Sequence, residues 1–298
     1  MNDNRNFTPR LGQGDLPDLF DYAVIDASDF QRAMQVWDAR MPGYDNLLSC
    51  EFVGDRQGLY SSIVEGDWRW LERSHRYRNR KDSTVINDGK WVELRDDFTD
   101  AMHSPTTLVT NEMMDRDITL HEWARRMAVL IRDSHLALFM FGCGGYNGIS
   151  QDGVISIETA LRGQYDFLRS FAQQIIDKNR GGDRQEDETG AFAVLRPFLR
   201  GGIINRSILY IESATGSAER GRATTYGKMT EELPAYPGDG STICMTRCRC
   251  HWRFNFSPEG GGGSVIHAFW RLRARDRRNC FTCLQRARDW NPYRVLTF

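Results

Sequence analysis

Five of the seven cysteines lie within forty residues near the end of the chain, as Cys244-x3-Cys248-x-Cys250 and, after a long gap, Cys280-x2-Cys283. Paired cysteines toward the two ends of a hairpin are how small modules bring four thiolates to one tetrahedral zinc. Cys248 and Cys250 sit two apart in RCRCHWRFNF, which alternates like a strand, so both side chains point to one face. The Cys280-x2-Cys283 spacing suits a knuckle that sets two sulfurs about one ion. Soft thiolates favour zinc over magnesium or calcium, and a four-sulfur shell keeps no open position. The expected role is structural, a crosslink for a unit of ~60 residues that is too small for a robust core. Five cysteines exceed the need of a four-ligand site. The expected set is Cys244, Cys280 and Cys283 with one of Cys248 or Cys250, and His251 or His267 as substitutes. Buried apolar thiols and oxidised pairs formed after cell lysis are the other readings of the same pattern. Cys50 and Cys143 stand alone, and core packing accounts for both.

Charge singles out the same stretch. From Ser241 to Phe298 there are eleven arginines against three acids, so this tail carries +8 while the remainder carries −9 and the whole chain −1. Arg247, Arg249, Arg253, Arg271, Arg273 and Arg275 are interleaved with Trp252, Phe254, Phe256 and Trp270, a composition that can meet nucleic-acid phosphates. Docking on an acidic neighbour, either the protein's own acidic body or another subunit, explains the charge equally well.

Catalytic patterns are missing from the sequence. His121-Glu122 opens like H-E-x-x-H, but position 125 is arginine. No G-x-S-x-G elbow occurs, and GGGGS at 260–264 lacks the Lys-Ser/Thr of a phosphate loop, which leaves a hairpin tip. Asp115 and Asp117 read as solvated acids near a helix N-terminus, His135 as a packed or surface histidine, and Asp239 as a turn residue. No enzymatic activity is expected.

Elements must position these residues. The chain has 298 residues, 40% hydrophobic and 27% charged, a globular composition; no apolar run comes near the ~20 residues that span a bilayer, and neither a membrane span nor a signal peptide is expected. The expected fold class is α+β: a mainly helical body with a β-hairpin insertion, plus a small C-terminal cysteine-rich, β-containing module. The expected division is a flexible arm over 1–20, the helical body over 21–233, and a cysteine- and arginine-rich zinc-ribbon-like module over 234–298. Helical patterns run from Asp29 to Arg40, from a T-L-H-E capping box at Thr119 and Glu122 to the glycines at 142, 144 and 145, and from Ile155 to Ile176. A third helical region, Ala193 to Ala218, is expected to be interrupted by Pro197, Gly201 and Gly202, after a polar surface loop over Asp177–Gly190. Asp67 to Tyr77 leans toward strand. Ser83 to Leu94, with Asn87-Asp88-Gly89 between two β-prone runs, has the signature of a hairpin. Near the end, VIHAFWRL pairs with RCRCHWRFNF, and CFTCLQRARDW closes as a short helix.

The tail LPAYPGDGSTICMTRCRCHW resembles the C-terminal signature of minor head proteins of tailed bacteriophages, the Mu-F-like head-morphogenesis family. ITLHEWARRMAVLIRDSHLALFMFGCGG, GQYDFLRSFAQQI, NRSILYIESATGSAERG and CFTCLQRARDWNPY are similar to that family's successive helices and closing knuckle, so the likeness covers roughly 68–298. One departure stands out: many members carry a further cysteine pair ahead of the Pro-Gly-Asp-Gly stretch, and Ala218 to Glu232 has none here. The resemblance implies a structural virion component, located in the head and made in the host cytoplasm during assembly. Its implied partners are the portal, the major capsid protein and packaged DNA, with no membrane. A soluble zinc-ribbon protein that binds nucleic acid is the alternative.

Overall fold

The computed structural model describes residues 17–42, 68–71, 76–79, 85–86, 88–181, 191–225, 233–239, 241–243, 248–258, 264–272 and 279–297. Its helices are α1 (Ala27–Arg40), α2 (Asp88–Ala101), α3 (His103–Met114), α4 (Leu120–Cys143), α5 (Gln151–Gly181), α6 (Ala191–Glu212), α7 (Thr215–Thr225) and α8 (Phe281–Asp289). The strands are β1 (Trp68–Leu71), β2 (Arg76–Asn79), β3 (His251–Pro258), β4 (Ser264–Arg271) and β5 (Tyr293–Thr297). The fold is α+β, mainly helical with a small antiparallel sheet beside the cysteine cluster.

Local chemistry sets where the central helices begin and end. Asp26 and Asp29 form a reciprocal capping box at the start of α1. Thr119 accepts the Glu122 N–H at the head of α4, and Gly144 in the left-handed region ends it. A surface helix needs one apolar stripe, but α4 is buried all round from Ile131 to Cys143, as a central helix must be. It packs against α1, α3, α5, α6 and α7. Its two buried charges are paired: Asp133 accepts from Arg32 at 2.8 Å, and Arg132 meets Asp29 at 3.0 Å. Burial raises the Asp133 carboxyl, against the pull of Arg32. The contact with α7 is backbone to backbone. A Cβ at Gly142 would lie 2.0 Å from the Ala218 carbonyl oxygen, and one at Gly221 2.2 Å from that of Phe139.

Of the hairpin expected over Ser83–Leu94, the second run is a helix instead, while residues 83, 84 and 87 lie outside the described residues. Asp88-Gly89 opens α2 rather than turning a β-ribbon, and Leu94, Arg95, Phe98, Thr99 and Met102 are buried at a spacing of three to four residues, not two. Tertiary packing decides it. Trp91 stacks on Phe141 at 5.2 Å, and Trp37 stacks on both Phe98 (4.9 Å) and Phe141 (5.0 Å). The body's hairpin is the antiparallel pair β1–β2, in register from Trp68↔Asn79 to Leu71↔Arg76.

Two helix boundaries also move. The α6 helix runs unbroken through Pro197, Gly201 and Gly202, because its second half is held. Arg200 bonds Asn111 on α3 and Asp115 at its C-cap, and Ser207, Tyr210 and Ile211 are buried. The α5 helix extends to Gly181, into the expected loop, of which 182–190 lies outside the described residues. Residues 1–16 of the expected arm lie outside them too, and Leu19 is already buried.

In the tail, β3 and β4 pair antiparallel in register Trp252↔Trp270, and a further strand beyond the two expected, β5, adds to β4 in register Ala268↔Tyr293. The tip at 259–263 lies outside the described residues. A separate apolar cluster forms here from Leu233, Cys248, Cys250, Trp252, Ala268, Trp270 and Cys283. Trp252 stacks on Trp290 at 5.7 Å and meets Trp270 edge-on at 5.2 Å.

Candidate metal centre

Two stretches of chain deliver the sulfurs. The segment 248–250 leads into β3, so Cys248 and Cys250, two residues apart, face one side. The first turn of α8 supplies Cys283 from the other side. These three buried cysteines place their sulfurs within 4.8 Å of one another, a group that can hold a metal ion. Cys248 Sγ and Cys283 Sγ are 3.4 Å apart. Bonds of ~2.3 Å to a tetrahedral ion would set the sulfurs about 3.8 Å apart, close to this arrangement. None of the described cysteines is joined in a disulfide.

Cys280 is the N-cap of α8, and its sulfur accepts the Cys283 N–H at 3.4 Å. An N–H directed at sulfur stabilises a thiolate there. It stands next to the trio but outside the 4.8 Å group. The expected set therefore changes: Cys280, expected in it, stands outside the converging group. Both Cys248 and Cys250 converge on Cys283, where only one of the two was expected, and they do so from the segment just before β3 rather than from within the strand. Cys244 lies outside the described residues, as does Cys50. Neither His251 nor His267 joins the group. Cys143 is a core thiol directed at the Gly221 carbonyl, 3.7 Å away.

The converging thiols perturb one another. The thiols of Cys248 and Cys250, and then burial, push the Cys283 thiol up, since neighbouring sulfurs resist ionising together until a positive ion joins them. His251, beside Cys250, is pushed down to about 3 by burial and by Arg95, Arg222, Arg271 and Arg253.

The centre is tied to the helical body by a buried polar knot. Arg95 on α2 is fully buried and bonds Glu219 on α7 at 3.2 Å, the Cys250 carbonyl at 3.3 Å, the Arg249 carbonyl at 3.2 Å, and Asp96 at 2.9 Å. The other Glu219 oxygen accepts the Trp252 N–H at 3.2 Å. Burial pushes the Glu219 carboxyl up to about 7, against the pull of Arg222 and Arg95. Sequence reading missed both residues. An arginine in the stripe Leu94, Arg95, Phe98 signals a buried cation only once the segment is recognised as helical.

The arginines singled out by charge have mixed placements. Arg249 pairs with Glu212 of α6, which ties the basic tail to the acidic body. Arg253 is exposed, and Arg271 lies 5.0 Å over the Phe269 ring. Arg247, Arg273 and Arg275 lie outside the described residues. Arg286 rests against Trp270 and Trp290 at 4.9 and 4.8 Å and donates to Ser241 at 2.9 Å. Asp239 accepts N–H bonds from Tyr236 and Ser241, as its turn requires. Among the described residues, no helix is long and apolar enough to cross a membrane. No protein-family model, curated protein or solved structure matches the chain.

Proposed function

We propose that the chain is a non-enzymatic structural component of a phage head. In this reading it is a minor head protein that associates with the portal or the inner capsid and assists head assembly or DNA packaging and delivery. Its tail is held by a structural zinc bound through Cys248, Cys250 and Cys283, with Cys280 as the fourth ligand. The observation that carries the reading is the burial of the three converging sulfurs. An ion enclosed there is out of reach of a substrate, so it fastens two chain segments rather than activating water. Sulfur-only ligation favours zinc. The likeness of the tail and its upstream helices to the head-morphogenesis signature supplies the biological setting.

The soluble nucleic-acid reader draws its support from the +8 tail alone. Arg249 on Glu212 and Arg286 between two indoles weigh toward an inward use of part of that charge. The experiment is metal analysis of the purified chain together with detection of the chain in DNA-filled heads. About one zinc per chain and retention in particles are expected. A chain found only outside particles throughout infection overturns the reading.

A further inference from the structure

We infer that Arg95 is a positioning residue of the metal centre: from the helical body it sets the backbone that aims Cys250, and so raises the affinity of the cysteines for their ion. The inference rests on the metal reading above and adds to it the means by which the body shapes the site.

A guanidinium has five N–H donors in a fixed fork. All five of Arg95 are used: Nε and one Nη2 hydrogen on Asp96, the other Nη2 hydrogen on the Arg249 carbonyl, and the two of Nη1 on Glu219 and the Cys250 carbonyl. Neutralising a buried cation needs only the two carboxylates. The remaining donors go to the carbonyls on either side of the Cys250 Cα, which fixes the direction in which its side chain leaves the chain. The Trp252 N–H, held by Glu219, fixes the next step. Two helices packed on the core, α2 through Arg95 and α7 through Glu219, thus grip the ligand-bearing segment at Arg249, Cys250 and Trp252.

By linkage, what Arg95 gives to metal binding, the metal returns to the docking of the tail on α2 and α7.

The test uses the full chain with Arg95→Met and Arg95→Lys, and Arg32→Met as a control that breaks the Asp133 contact in the body, away from the cysteines. Zinc affinity is read by chelator competition, ligand geometry by the visible and thiolate charge-transfer bands of the cobalt-loaded protein, and folding by far-ultraviolet circular dichroism. Arg95→Met should weaken zinc by about 10- to 100-fold and shift the cobalt bands, while Arg32→Met leaves both in place. Should Arg95→Met fail to fold, Arg95→Lys decides, since it keeps the charge and loses the fork, and its affinity should still fall several-fold. Folded Arg95 variants with unaltered affinity and spectrum overturn the positioning role and leave the metal reading standing. A natural chain that takes up neither zinc nor cobalt overturns the metal reading, and this inference with it.

Discussion

At the scale of single residues, His135 shows how a polar side chain can sit in the core of α4 without chemistry. Its Nδ1 is 2.7 Å from Ser217 Oγ and its Nε2 3.2 Å from Ser213 Oγ. Ser213 donates to the Tyr210 carbonyl at 2.6 Å, so it accepts from Nε2–H, and Nδ1 accepts from Ser217. Burial pushes the imidazole down to about 3. The sign follows. In the unfolded chain the ring takes a proton below its ordinary pKa near 6.5, while the folded ring stays neutral until about 3, so stability drains as pH falls through that window. Near pH 5 the loss from this one residue is about 2 kcal/mol relative to neutral pH. Denaturant midpoints measured across that range should fall for the natural chain and fall less for His135→Gln. Equal slopes would remove His135 as a source. The cysteines invite a similar dissection. Serine at 248, 250 or 283 should abolish stoichiometric zinc in elemental analysis, and serine at 143 should leave it intact. Because the Cys283 N–H is directed into the Cys280 sulfur, serine at 280 should cost more zinc than serine at 244. The reverse order would move the fourth ligand to Cys244.

At the scale of elements, what the sequence made legible were the strongly patterned pieces with end signals. Thr119, the glycines after Cys143, and the alternation either side of the glycine-rich tip placed α4, β3 and β4. Local signals failed where packing overruled them. Asn-Asp-Gly reads as a hairpin turn until Trp91 and Phe98 are seen stacking into the aromatic core. Pro197 and two glycines read as a break until α3 is seen holding Arg200. The convergence of the cysteines was legible from spacing, whereas Arg95 and Glu219, 124 residues apart, were not, since their meeting exists only in the assembled fold. Glycines make the same distinction testable. Cβ atoms at Gly201 and Gly202 would meet open space, so Gly201→Ala should stabilise the chain by up to about 1 kcal/mol through helix propensity. At Gly221 a Cβ would strike the Phe139 carbonyl, and Gly221→Ala should cost roughly 3 kcal/mol as α7 is forced off α4. Thermal midpoints of the two variants should move in opposite directions. A neutral Gly221→Ala would mean that the helices separate more easily than this backbone contact implies.

At the scale of the whole molecule, the two apolar clusters differ greatly in size. The body's cluster draws on all the helices from α1 to α6, with Ala214 and Ala218 beyond them, while the tail's rests on a handful of residues around Trp252, Trp270 and the cysteines. A core so small needs a crosslink, and the bond from Arg95 to the Cys250 carbonyl joins it to the larger one. With metal bound, the two should therefore unfold together. Removing the metal should uncouple them. Three of the eight tryptophans, Trp252, Trp270 and Trp290, lie in the tail, so a tail that unfolds alone changes part of the fluorescence, while the helices of the body dominate far-ultraviolet circular dichroism. In the metal-loaded chain, heating should give coincident transitions by both probes. After chelation part of the fluorescence change should come first, at lower temperature, with the remainder following the circular dichroism transition, which is shifted much less. Coincident transitions that persist without metal would mean that the knot of Arg95, Glu219 and Trp252 is enough to hold the tail, and that the ion adds affinity for a partner or rigidity rather than attachment.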